Sequence, residues 1–110
     1  MAKPGKKVVR KFVLREEDLW SLDMWLADVI SKSVHEFRKG GVGGYPAMLD
    51  PDPGDSPYSK DAEKEWERIL KAIDVGFAIG AKDLFPSGAD EAKWKEGFDL
   101  FVKYFGHLWT

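Results

Sequence analysis

The sequence predicts an all-α fold: a small three-helix bundle with an N-terminal basic arm and a long Gly/Pro-rich crossover loop. Three observations carry this expectation. Apolar residues recur at helical spacing in three separate stretches. Helix-start or helix-stop chemistry flanks each stretch. Between the first two lies a segment so rich in Gly and Pro that it excludes regular structure. Residues 1–14 form the arm and 15–110 a single helical domain, as the 110-residue length suggests.

The arm comes first. Lys3, Lys6, Lys7, Arg10, Lys11 and Arg15 all precede the first acid, Glu16. Net charge is −2, so the remainder, with eleven of the 17 basic residues against all 19 acids, carries −8. A basic arm on an acidic body either touches phosphates or an acidic partner, with Lys6, Lys7, Arg10 and Lys11 as nucleic-acid contacts, or is a solvated tail. Val8, Val9, Phe12, Val13 and Leu14 are too apolar for a free tail and predict an extended or short β segment packed on the body.

The first helix is expected from about Arg15 to Lys39. Glu16, Glu17 and Asp18 suit the positive end of a helix dipole, and Arg38 and Lys39 the negative end. Gly40 and Gly41 stop it. Leu19, Leu22, Leu26, Val29, Ile30, Ser33 and Phe37 fall on one stripe, the expected core face. Glu17, Asp28, Ser31, Lys32 and His35 fall opposite. Asp23 projects into the apolar stripe, which marks it as a buried polar group. It is either an acid poised in a pocket or an acceptor for a Trp66, Trp94, Tyr45 or loop donor.

Residues 40–58 form the crossover, which Tyr45, Met48 and Leu49 can pin to the body. Loops of this length are often functional, and a pinned connector across a bundle end is the alternative. The second helix is expected from Ser56 or Ser59 to about Ala81. Its stripe is Ala62, Trp66, Ile69, Leu70, Ile73, Gly76, Phe77 and Gly80, with the two glycines allowing close backbone approach. The third follows a Ser87-to-Asp90 capping pattern. Trp94, Phe98, Phe101, Val102, Phe105, Leu108 and Trp109 line its face.

Little here points to catalysis or cofactors. The absence of Cys excludes disulfides, thiolate metal sites and cysteine nucleophiles. His35 and His107 lack companions at ligand spacing. In Asp50-Pro-Asp52-Pro-Gly-Asp55 the prolines, and Asp55 where glycine is needed, break the calcium-loop template. GGVGG lacks the Lys and the preceding strand of a phosphate loop. The chain is therefore expected to be non-catalytic, with no metal and no cofactor. Neither a secretory leader nor a membrane span is expected.

Several apolar residues lie off the three stripes: Trp20, Met24, Trp25, Val75, Ile79, Leu100 and Tyr104. Such surplus suits a protein partner or self-association, with Trp20, Trp25, Tyr45 and Tyr104 as anchors. Two rival readings use other features. A nucleotide-sequestering protein would use the Gly-rich loop and stacking rings, and a nucleic-acid binder would use the arm.

The order Trp20-Ser-Leu22-Asp23, then Gly44-Tyr45-Pro46, then Trp66, then Gly97-Phe98-x-Leu100-Phe101-x-Lys103-Tyr104-Phe105-x-x-Leu108-Trp109 resembles a group of short, uncharacterised proteins encoded by tailed bacteriophages. The resemblance covers roughly residues 12–110, rests on aromatic and structural motifs, and brings no catalytic residues. It implies synthesis in a host bacterial cytoplasm. The role it implies is a virion component, or an inhibitor or adaptor acting on a host or anti-phage defence protein.

Overall fold

The computed structural model describes residues 14–40, 44–49 and 59–108. The fold is all-α, with three main helices and no strand among the described residues. The helices are α1 (Leu22–Lys39), α2 (Lys60–Lys82) and α3 (Ala89–Tyr104), with short 3-10 segments at Glu16–Ser21, Ala47–Leu49 and Phe105–His107. The basic arm, including Lys6, Lys7, Arg10 and Lys11, lies outside the described residues, as does most of the crossover.

The element ends follow local chemistry. Arg15 and Asp18 close the first 3-10 turn: the Arg15 N–H donates to Asp18 Oδ2 at 2.9 Å, and the Asp18 N–H to the Arg15 carbonyl at 3.0 Å. The Arg15 N–H on its carboxylate, helped by the Arg15 guanidinium, holds the Asp18 carboxyl below its ordinary range. Gly40 caps α1 through its N–H to the Glu36 carbonyl. Ser59 caps α2 by accepting the Ala62 N–H at 3.2 Å. Asp83 ends α2 and accepts the Phe85 N–H on Oδ1. The residue that caps α3 is Gly88, at φ +66°, rather than Ser87. The left-handed conformation at this turn is the reason glycine sits there.

Helix α2 is the centre of the molecule. Its eight buried residues are the eight of the predicted stripe, Ala62 through Gly80. Leu70 and Ile73 are fully shielded, and Trp66, Ile69 and Phe77 nearly so. Helices α1 and α3 pack along opposite flanks of α2, both antiparallel to it. Among the described residues the two make no Cα approach within 8 Å of each other.

The two seams are built differently. The α1–α2 seam is held by polar side chains: Ser31, His35 and Arg38 of α1 all reach Asp74. On the α2–α3 side, side chains are missing. A Cβ on Gly76 would lie 2.9 Å from the Gly97 Cα and 2.7 Å from the Lys93 carbonyl, and one on Gly97 2.7 Å from the Ala72 carbonyl. Next along α2, Gly80 makes room for the Trp94 ring. The close approach expected at Gly76 and Gly80 is present, and Gly97 is its counterpart across the seam.

Two expected faces are corrected. In α1 the buried residues are Ala27, Ser31 and Val34. The predicted stripe instead leaves Leu22 and Leu26 exposed, and Ser31, expected in solvent, is 7% exposed. In α3 the buried residues are Gly97 and Tyr104, while Phe98, Val102 and Phe105 are exposed. At the closest approaches to α2 both helices present small or hydrogen-bonding residues, Ala27 and Ser31 on α1 and Gly97 on α3, while larger side chains such as Phe37, Trp94 and Phe101 pack beside them.

Candidate functional site

The site grows out of that rotation. At about 100° per residue, the apolar strip of α1 lies roughly 100° around the helix from its Ala27–Ser31–Val34 contact line. The strip of α3 is turned by a similar angle from its Gly97–Tyr104 line. Because the helices flank α2 on opposite sides, both strips turn onto the same face of the molecule. Between them lies an open trough.

The centre of the trough is an apolar hollow of about 280 Å³, walled by Val29, Ile30, Val34 and Phe37 of α1 and by Phe101 and Leu108. Ser33 is the one polar residue in its lining among the described residues. Rings tie the α3 wall to the core. Phe77 of α2 meets Trp94 and Phe101 edge-on, each at 5.0 Å between centroids, and stacks with Phe98 at 6.1 Å. Phe101 in turn meets Phe105 at 5.4 Å. These offset and edge contacts fix ring positions, so the exposed edges of Phe98 and Phe105 stand on a packed base.

A second open hollow, about 500 Å³, lies beyond α3. Leu84, Phe85, Trp94 and Phe98 wall it, with Glu91 and Lys95 also in its lining. Phe85 is 89% exposed. The Trp94 indole N–H is committed to the Leu84 carbonyl at 3.1 Å, which anchors the connector that carries Phe85. The ridge of α3 thus stands between two apolar hollows.

The predicted site residues sort as follows. Trp20 is 82% exposed in the 3-10 turn before α1. Trp25 is half-buried on α1. Tyr45 is half-buried, packs against the core, and its hydroxyl accepts the Ser59 N–H at 2.6 Å, so it fastens the crossover to the start of α2. Tyr104 is a correction. It is 4% exposed, lies edge-on to Trp66 at 5.6 Å and has Lys103 Nζ 5.3 Å from its ring centroid. Seven residues after Gly97, two helical turns on, it falls on the line facing α2 and offers no free anchor. Asp23 is also a correction. It is exposed rather than buried, in the first turn of α1, where a carboxylate suits the helix dipole, and its Oδ1 accepts the Met24 N–H at 2.9 Å.

On the α1–α2 seam, Asp74 gathers a polar cluster. The Ser31 hydroxyl donates towards Asp74, 2.8 Å from Oδ1 and 3.1 Å from the backbone carbonyl. His35 Nδ1 lies 3.1 Å from Oδ2, and Arg38 Nη1 donates to Oδ2 at 3.3 Å. Arg38 Nε and Nη2 also hold Glu67 Oε1, at 3.0 and 2.8 Å. Serine, histidine and aspartate suggest a hydrolytic relay, but a relay needs the serine on the histidine. Here both bond to the carboxylate, and Ser31 is buried. The cluster is a clasp between helices. It satisfies its own members: among the described residues no buried side-chain nitrogen or oxygen lacks a partner.

Asp74, Gly97 and Phe85 escaped the sequence reading. The signal for Gly97 was its fit to the Gly76 and Gly80 pair, and for Asp74 its place at the edge of the α2 stripe. Among the described residues no group of three or more His, Asp or Glu is placed to hold a metal ion, and no helix is long and apolar enough to cross a membrane. No known protein family, curated protein sequence or solved structure matches the chain.

Proposed function

We propose that this chain is a non-catalytic interaction protein whose working surface is the trough between α1 and α3. One observation carries the reading: the apolar strips of two separate helices both turn away from α2 onto one open face. Apolar surface of this extent on one face of a small protein is the signature of a contact surface. Among the described residues Trp20 and Phe85 are the most exposed large rings, and they suit anchoring residues. The resemblance to tailed-phage proteins adds the setting: a bacterial cytoplasm, and a role as virion component or as inhibitor or adaptor of a host or defence protein.

The test is capture of cross-linked partners by the tagged full chain in bacteria, alongside Val102→Glu. Partners held by the parent chain and lost by the variant support the reading. A chain that stays a lone monomer, with no partner and no place in a virion, overturns it.

A second reading has its own observation. The hollow walled by Phe85, Trp94 and Phe98, with Lys95 beside it, combines stacking rings with a cation. That chemistry suits a nucleotide or similar flat anion. Thermal shift against nucleotides at millimolar concentration tests it, and an unmoved melting temperature removes it.

A further inference from the structure

We propose that the open face is closed by a second copy of this chain, two three-helix layers stacking so that the α3 ridge of each copy lies in the trough of the other. The inference rests on the interaction reading above and names its partner.

Area is the first argument. Leu22, Leu26, Phe98, Val102 and Phe105 are 39, 44, 48, 62 and 65% exposed on this face. With the partly covered walls of the hollow, this leaves on the order of 400–500 Å² of apolar surface per chain. A stable interface buries roughly 800 Å² per partner, of which about 56–65% is apolar. The free apolar area of one copy therefore matches the apolar share of one side of such an interface.

Shape is the second. A two-fold interface requires one patch to carry both a projection and the recess that receives it. This face does so. Phe98, Val102 and Phe105 project along α3, and the 280 Å³ hollow lies directly beside them. Ridges of one helix seating in the groove between two others is ordinary helix packing.

Polarity is the third. Among the described residues the hollow is lined by one hydroxyl, that of Ser33, and no charged side chain. Glu91 and Lys95, of opposite sign, continue the row of Phe98 and Val102 towards the start of α3. A recess without charge favours an equally apolar occupant, and the face itself supplies one. Two copies would also stack without opposing like charges at their centre.

The experiment is solution mass by light scattering and sedimentation for the full chain at about 100 µM, run with Val102→Glu, Phe105→Glu and a control, Lys71→Glu, at an exposed position on α2. The parent chain and the control should show twice the 12.5 kDa chain mass. Each face variant should weaken dimerisation at least ~100-fold, because it places an unpaired carboxylate in the contact. Circular dichroism should show unchanged helicity, since both substituted positions are exposed. A parent chain that stays monomeric overturns the proposal, whether a foreign protein or residues 1–13 of the same chain take the face. A dimer that persists in both face variants overturns it too, because the contact then lies elsewhere. Failure here and failure of the interaction reading are separable. A monomer that captures another protein through Val102 keeps the interaction reading and removes the second copy.

Discussion

Helix α2 is joined to α1 and to α3 by opposite means. Towards α1 the seam is bridged by long polar side chains converging on Asp74. Towards α3 the backbones meet at Gly76 and Gly97, and the approach works because no side chain stands at that point. The first seam tolerates adjustment, since Arg38 and His35 can shift within hydrogen-bonding reach. The second tolerates none, because the atoms in the way are backbone. The lesson is that similar helix pairings can have opposite sensitivities: one fails when a group is removed, the other when a group is added.

The largest break is expected at the glycine seam. Gly97→Val should destabilise the fold by ~3 kcal/mol or more, at the upper end for overpacking, because the Ala72 carbonyl and Gly76 backbone cannot rotate away. Urea unfolding measures this. A loss below about 0.5 kcal/mol would mean that α3 can step off α2 freely.

The clasp is next. Asp74→Ala should cost ~1–2 kcal/mol, because it leaves the buried Ser31 hydroxyl only the backbone carbonyl of residue 74 and removes one of the two acids that hold Arg38. Adding Ser31→Ala to that background should cost less than it does alone, and a double-mutant cycle reads the coupling. Strict additivity would disprove the clasp.

A smaller effect, about 1 kcal/mol, is expected for Ser59→Ala, which removes the cap of the helix that both seams share. It should lower stability without favouring either seam, as hydrogen exchange in α1 and α3 would show.

The smallest concerns the ion pairs that cross the glycine seam. Arg68 holds Glu65 and reaches Glu96 of α3 at 3.8 Å. All three are well exposed, so Arg68→Gln should change stability by no more than about 0.5 kcal/mol. The hydrogen bond from Arg68 holds the Glu65 carboxyl below its ordinary 4.5. Its small contribution is therefore present above that pH and lost as pH falls through the lowered value. In Arg68→Gln the Glu65 titration seen by NMR should return towards 4.5.

How much of this was legible in the sequence depends on what each helix faces. The α2 stripe is readable residue by residue because α2 has neighbours on two sides and a wide buried arc. The strips of α1 and α3 are equally clear as patterns, although Leu19 falls in the 3-10 turn before α1 and Trp109 lies outside the described residues. What they face is not written in periodicity. Spacing tells which residues share a side, and large apolar groups draw the eye, so Leu22 and Phe98 mark a core face. The contacts belong to Ala27, Ser31 and Gly97, which carry almost no hydrophobic signal. Tyr104 was misplaced for the same reason, since turning α3 swings the phenol in, whereas Asp23 lies in line with Ala27 and is exposed because it sits at the start of α1. The trough follows from that same turn and so lay beyond the sequence, although the surplus of apolar side chains pointed to a surface of this kind.

Among the described residues the backbones of α1 and α3 stay apart, and the close backbone contacts join helices that are neighbours along the chain. Such local wiring favours rapid folding. It also sets an order during synthesis, since the first seam can close while the third helix is still within the ribosome. The flank left bare in that interval sets the rings of Trp66 and Phe77 beside the backbone of Gly76 and Gly80, so the arriving helix must cover hydrocarbon and fit a groove in one step.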